Sequence, residues 1–174
     1  MRNGKRRALG ACAVVAVAGA AAVALVAGGS PQDVGDEGTD RQEAVAERGK
    51  SVMPFDLEQT THRFTPTKTG GVQDVVADRS GDEEQIRLIR AHLREEGEAF
   101  GRGDFADPAR IHGTGMPGLA ALEEGHDRID VRYENRPDGA TLTYVTQDPV
   151  LVDALHDWFE AQIGDHGGHA ETGL

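Results

Sequence analysis

Two hairpin-like segments, each followed by an amphipathic helical pattern, predict an α+β domain. The expected architecture is a four-stranded antiparallel sheet in chain order ββαββα, with both helices on one face. Three observations carry this. β-Branched residues flank Gly70-Gly71 in the stretch TTHRFTPTKTGGVQDVVAD from Thr60 to Asp78; the turn string Arg136-Pro137-Asp138-Gly139 separates two alternating runs; and Asp82 and Asp148-Pro149 each open a run with apolar residues at helical spacing.

In the first hairpin the turn is placed at Gly70-Gly71, where glycine accepts positive φ, with Thr69 facing Val72. Side chains alternate along strands, so His62, Phe64, Val75 and Ala77 share a face and His62 points coreward. The first long helix is expected from Glu83 to Phe100, with Asp82 as N-cap and Ile86, Ile89, Leu93 and Phe100 on its buried stripe. Gly101-Arg102-Gly103 ends it. The second hairpin joins Arg128 to Asn135 with Ala140 to Gln147, turning Ile129, Val131, Tyr133, Leu142 and Tyr144 inward. Asp148 then caps a last helix with Pro149 in its first turn and Val152, Leu155, Trp158, Phe159 and Ile163 on its apolar side. Between the halves, Gly101 to His126 is long for a connection and is expected to hold two short helices, opened by Asp107-Pro108 and Met116-Pro117-Gly118. His112-Gly113-Thr114-Gly115-Met116 forms the corner between them.

The chain of 174 residues starts MRNGKRR and continues with an uncharged apolar run from Ala8 to Gly29. That is the pattern of a secretory signal, and it is also long enough to anchor the chain with its N-terminus inside. Residues 1–28 are therefore read as a signal peptide or N-terminal membrane anchor, with small residues near Val26 to Gly29 favouring cleavage. Both alternatives place the remainder outside the cytoplasm. Residues 29–51 are polar and acidic and read as a disordered linker; 52–166 form a single domain; 167–174 form a flexible tail. Cys12 is the only cysteine, so the domain has neither a disulfide nor a thiolate ligand. Without residues 1–28 the chain keeps 14 Lys and Arg against 30 Asp and Glu, a formal charge of -16. Such a surface repels nucleic acid and anionic lipid, and leaves membrane contact to the N-terminal segment if it is uncleaved. A protein partner stays open.

All seven histidines lie in the exported part. His62 faces the expected core. His92 and His156 each lie four residues before a glutamate, Glu96 and Glu160, on one helical face. His112 and Met116 place an imidazole and a thioether at one corner, a pairing that suits copper better than calcium or magnesium. The tail segment Asp165-His166-Gly167-Gly168-His169 adds two imidazoles. Gln162 falls near the middle of the last helix's apolar side, where an unpaired amide is costly, so a polar partner is expected there.

The strings THRFTPTKTGGVQ, IRLIRAHL, GDFADPARIHG, MPGL and HDWFEAQIGDHG together resemble a family of small exported bacterial proteins of unassigned function. The resemblance covers about 53–170. Members often carry the label aspartate carbamoyltransferase, but the Ser-Thr-Arg-Thr and His-Pro-x-Gln motifs of that enzyme are absent here. The resemblance implies that the histidine-bearing strings form one domain and implies no catalytic residue.

The sharpest expectation is a transition-metal site, for copper or zinc, drawn from His62, His92, His112, Met116 and His156, with His166 and His169 auxiliary and Glu96, Glu160 and Gln162 supporting. Haem is less favoured, because no Cys-x-x-Cys-His attachment string exists. One alternative is a small enzyme in which Glu96 or Glu160 orients a histidine base, with Thr61, Thr114 and Tyr144 as the nearby hydroxyls. Another is a membrane-tethered interaction domain whose histidines are structural.

Overall fold

The computed structural model describes residues 33–173. The basic start, the apolar run and Cys12 lie outside them, and with them the expected signal or anchor. Among the described residues no helix is long and apolar enough to cross a membrane.

Among the described residues, five α-helices and one five-stranded mixed sheet make an α+β architecture. In chain order these are α1 (Asp33–Gly49), β1 (Thr60–Thr67), β2 (Gly70–Ala77), α2 (Glu83–Phe100), α3 (Ala106–His112), α4 (Leu119–Gly125), β3 (Asp130–Arg136), β4 (Gly139–Val145), α5 (Pro149–His166) and β5 (Ala170–Thr172). The sheet order is β3-β4-β2-β1-β5. The four strands expected from the two hairpins are all antiparallel to their neighbours among themselves, and a fifth, β5, runs parallel to β1. It comes from residues expected to form a flexible tail. Gly167, at a φ of 55°, closes α5 by donating its N–H to Ile163 and lets the chain double back. The returning strand is then held by Gly173 N–H on the Phe64 carbonyl at 2.8 Å and by Arg63 on Glu171.

Residues 33–49, which read as spacer, form α1. Its composition is polar, yet Val45 is fully buried and two arginines reach the body of the domain: Arg41 bonds Asp165, and Arg48 bonds the Ile111 carbonyl. A helix fixed by charged side chains rather than by an apolar stripe gives little periodic signal.

The first hairpin turns at Lys68-Thr69 rather than at Gly70-Gly71, so Thr67 pairs Gly70 and Val72 faces Thr65 instead of Thr69. The offset is even, and the faces survive: Phe64, Gln73 and Leu142 stand in one cross-strand row, His62, Val75 and Ala140 in the next. The helix caps are as expected. Asp82 accepts from Gln85 N–H at the start of α2, and Asp148 from Val150 N–H at the start of α5, which begins with Pro149. α2 packs on β4, β3 and β2, and α5 on β2, β1 and β5. At Gly97 a Cβ would come 2.8 Å from the Leu142 side chain, so the glycine lets α2 settle onto the sheet. The centre is aromatic: Trp158, fully buried, meets Phe100, Phe105 and Tyr144 edge-on.

Candidate functional site

Four imidazoles from four elements meet at one end of this core. Strand alternation sets His62 on the buried side of β1, between Thr60 and Phe64. His92 lies beside Ile89 and Leu93 on the buried stripe of α2. His112 is the last residue of α3, where Gly113, at a φ of 94°, lets the chain leave. His166 is the last residue of α5, and the pairing of Ala170 with His62 across β5 and β1 brings that helix end over His62. All four are buried.

The rings touch in a chain. His62 and His166 stack in nearly parallel planes with centroids 5.0 Å apart, and His112 meets His166 edge-on, also at 5.0 Å. Phe55 bridges the other way, 5.7 Å from His62 and 5.6 Å from His92. His62, His92, His112 and His166 line one small cavity of about 20 Å³, together with Met53, Gln73, Glu96 and Gln162. That is room for one water molecule or one ion. Two polar atoms here have no hydrogen-bond partner, His62 Nδ1 and Gln162 Oε1. Gln162 is thus buried as expected, but its carbonyl oxygen lacks the polar partner that burial calls for.

His112 is the most firmly held ring. Its Nδ1 lies 2.9 Å from Asp165 Oδ2, and Asp165 in turn accepts from Arg41 Nε at 2.5 Å and Arg41 Nη2 at 2.7 Å. With Nδ1 engaged, Nε2 is the nitrogen left for a ligand. Burial pushes the His62 imidazole down to about 3, helped by His92 and His112 nearby. Burial lowers His166, His92 and His112 too, and for His112 Asp165 opposes the shift. Burial, with Asp107 nearby, raises the Glu96 carboxyl to about 8. At neutral pH the cluster is therefore a set of neutral imidazoles, the form that donates a lone pair to a metal. His92 Nε2 and Glu96 Oε1, 3.6 Å apart, are both neutral there, so they make no ion pair.

The other candidates lie elsewhere. His156 shares its Nε2 between the Thr67 and Gly70 carbonyls, at 3.0 and 2.9 Å, and so ties α5 to the first hairpin; Glu160 is exposed. Met116 is buried in the apolar core and does not border the cavity. His169 is partly exposed, 3.3 Å from Glu58. Met53, Gln73 and Arg41 belong to the site without having been singled out by any motif. Asp165 next to His166 at the end of an apolar helical pattern was the available signal for the Asp165–His112 pair.

Among the described residues, no three His, Cys, Asp or Glu side chains are set around a common point as metal ligands. The reason is visible in the rings, since the parallel planes of His62 and His166 carry their in-plane lone pairs side by side rather than toward one point. His92 and Glu96 also form part of the wall of an open cleft of about 290 Å³, lined further by Glu95, Asp104, Asp107 and Arg110. Comparison with protein-family models, with curated proteins and with solved structures finds no match.

Proposed function

We propose that this chain is an exported domain that binds a transition metal, copper or zinc, in the histidine cavity. The observation that carries the reading is the convergence of four buried imidazoles from β1, α2, α3 and α5 on a space the size of one ion. Sequence-distant polar groups gathered in a core cost stability; an unpartnered buried polar atom costs about 1–3 kcal/mol. A ligand that uses His62 Nδ1 and Gln162 Oε1 recovers that cost. His112 binds through Nε2 with Asp165 behind it, the outer-shell arrangement that fixes a metal-bound imidazole. His62 and His166 complete the set after one of the two rings turns about its χ angles, with His92 as the fourth nitrogen. A cavity of about 20 Å³ favours an ion over haem. Met116, His156 and His169 take no part in this centre.

The test is metal content and thermal stability of the tag-free, chelator-stripped full chain. Near-stoichiometric copper or zinc uptake and a melting point raised by several degrees are expected, since a ligand that binds only the folded state stabilises it. His112→Ala and His166→Ala should each abolish the shift. Uptake unchanged in both variants, or no uptake by the parent, overturns the reading.

One observation favours a second reading. Glu96, protonated at neutral pH, stands beside His92 in the wall of the 290 Å³ cleft, an arrangement suited to a general acid. In that case Glu96→Gln would lower turnover of a cleft-bound substrate and leave metal uptake unchanged.

A further inference from the structure

We infer that the ion is cuprous copper and that Met53 supplies a thioether ligand beside the imidazoles. This rests on the metal-binding reading and narrows it to one oxidation state and one additional residue.

Met53 follows α1 and reaches the site through close packing. Its N–H donates to the Gly49 carbonyl at 2.8 Å, and a Cβ on Gly49 would lie 2.6 Å from the methionine's terminal methyl. The absence of a side chain at Gly49 therefore makes the space in which Met53 lies. Met53 is buried and borders two spaces at once: the histidine cavity, and an open groove of about 480 Å³ that Phe55, Leu57 and Leu88 also line. Among the described residues it is the one sulfur-containing residue that borders the cavity.

The donors that line the cavity are imidazole nitrogens, the Gln73 and Gln162 amides, this thioether and one carboxyl, Glu96, and only the last can bring a negative charge. Of the two carboxyl groups nearby, Asp165 is held by His112 and Arg41, and Glu96 lies 3.6 Å from His92. A divalent ion buried among neutral donors keeps its full double charge uncompensated, whereas a monovalent one brings half of it into the same low-dielectric space. Thioether and imidazole are also the soft and borderline donors that select Cu(I), while zinc is held more often by thiolate, imidazole and carboxylate. Cuprous copper is satisfied by two, three or four ligands, so a subset of these donors suffices. The stacked His62 and His166 then need less reorientation than a tetrahedral zinc centre would demand.

The test is a pair of competition titrations on the full, tag-free chain: Cu(I) against a cuprous chelator without oxygen, and Zn(II) against a zinc chelator. Cu(I) is expected to bind at least about a hundredfold more tightly than Zn(II). Met53→Leu, which keeps the volume, should weaken Cu(I) at least about tenfold and leave Zn(II) unchanged. Met116→Leu should change neither. X-ray absorption at the copper edge should show a sulfur neighbour in the parent and none in Met53→Leu, a readout that packing alone would not move. Equal or tighter Zn(II) binding, or Cu(I) affinity and sulfur signal kept in Met53→Leu, overturns the inference and leaves the metal-binding reading standing. No metal of either kind in the parent overturns both.

Discussion

Gln162 shows what the site costs its owner. Its position on the apolar side of α5 was readable from helical angle alone, and so was its need for a partner; the partner is missing because the side chain ends in the cavity. Gln162→Met keeps the length and the helix propensity and removes the orphaned oxygen. The metal-free protein should gain about 1 kcal/mol, a rise of about 3 °C in melting point. A fall of several degrees would show that the oxygen already has a partner. Asp165 makes the opposite prediction. It raises the His112 imidazole against the pull of burial, so in Asp165→Asn that imidazole should titrate still lower, as followed by ring-carbon NMR. Metal affinity should drop about 10- to 100-fold, the usual cost of losing an outer-shell partner. An unmoved His112 would show that the 2.9 Å contact does not govern its charge.

At the scale of elements, what could be read depended on whether an element is held by an apolar stripe. α2 and α5 were legible to the residue at their starts because Asp82 and Asp148 cap apolar periodic runs. β1 and β2 were legible in face but not in register, since an even slip leaves the side-chain alternation intact. α1 and β5 were not legible. β5 is three residues long, and α1 carries one fully buried valine and relies on Arg41 and Arg48. Those arginines give α1 its role, since Arg48 grips α3 and Arg41 grips α5, the two helices that end in His112 and His166. The Arg41 cation also lowers the His112 imidazole. Arg41→Ala should therefore raise the pKa of His112, opposite in sign to Asp165→Asn, and cost no more than about 1 kcal/mol because Arg41 is 52% exposed. Movement of both variants in the same direction would refute the assignment of α1 as the clamp on this pair.

The whole molecule determines what no local pattern announces. His62, His92, His112 and His166 are brought together by strand pairing, by helix packing and by the return of the chain after α5, none of which is written in periodicity. The sequence turned His62 coreward and put His92 and His156 on the helices that could meet it; His92 does, while His156 is held by the Thr67 and Gly70 carbonyls and His112 and His166 join the cluster instead. The same gathering fixes how stability depends on pH. His62 titrates near 6.5 when unfolded and at about 3 when folded, so its contribution is complete above 6.5 and is lost as the pH falls from there toward 3. Glu96 titrates near 4.5 unfolded and about 8 folded, so its contribution is complete below 4.5 and is lost as the pH rises through 8. Each group changes stability by at most about 1.4 kcal/mol per pH unit within its window. Between 4.5 and 6.5 the Glu96 slope is opposed by that of His62 and by those of His92, His112 and His166, which burial lowers as well; below 4.5 the acid loss acts alone, and from 6.5 to 8 the alkaline loss acts alone. The metal-free domain should therefore melt highest near pH 6.5, and Glu96→Gln should flatten the decline between pH 6.5 and 8 while leaving the acid limb in place. Melting curves across pH 3 to 9 for both proteins decide it: an alkaline limb that persists in Glu96→Gln would assign the decline to some other group.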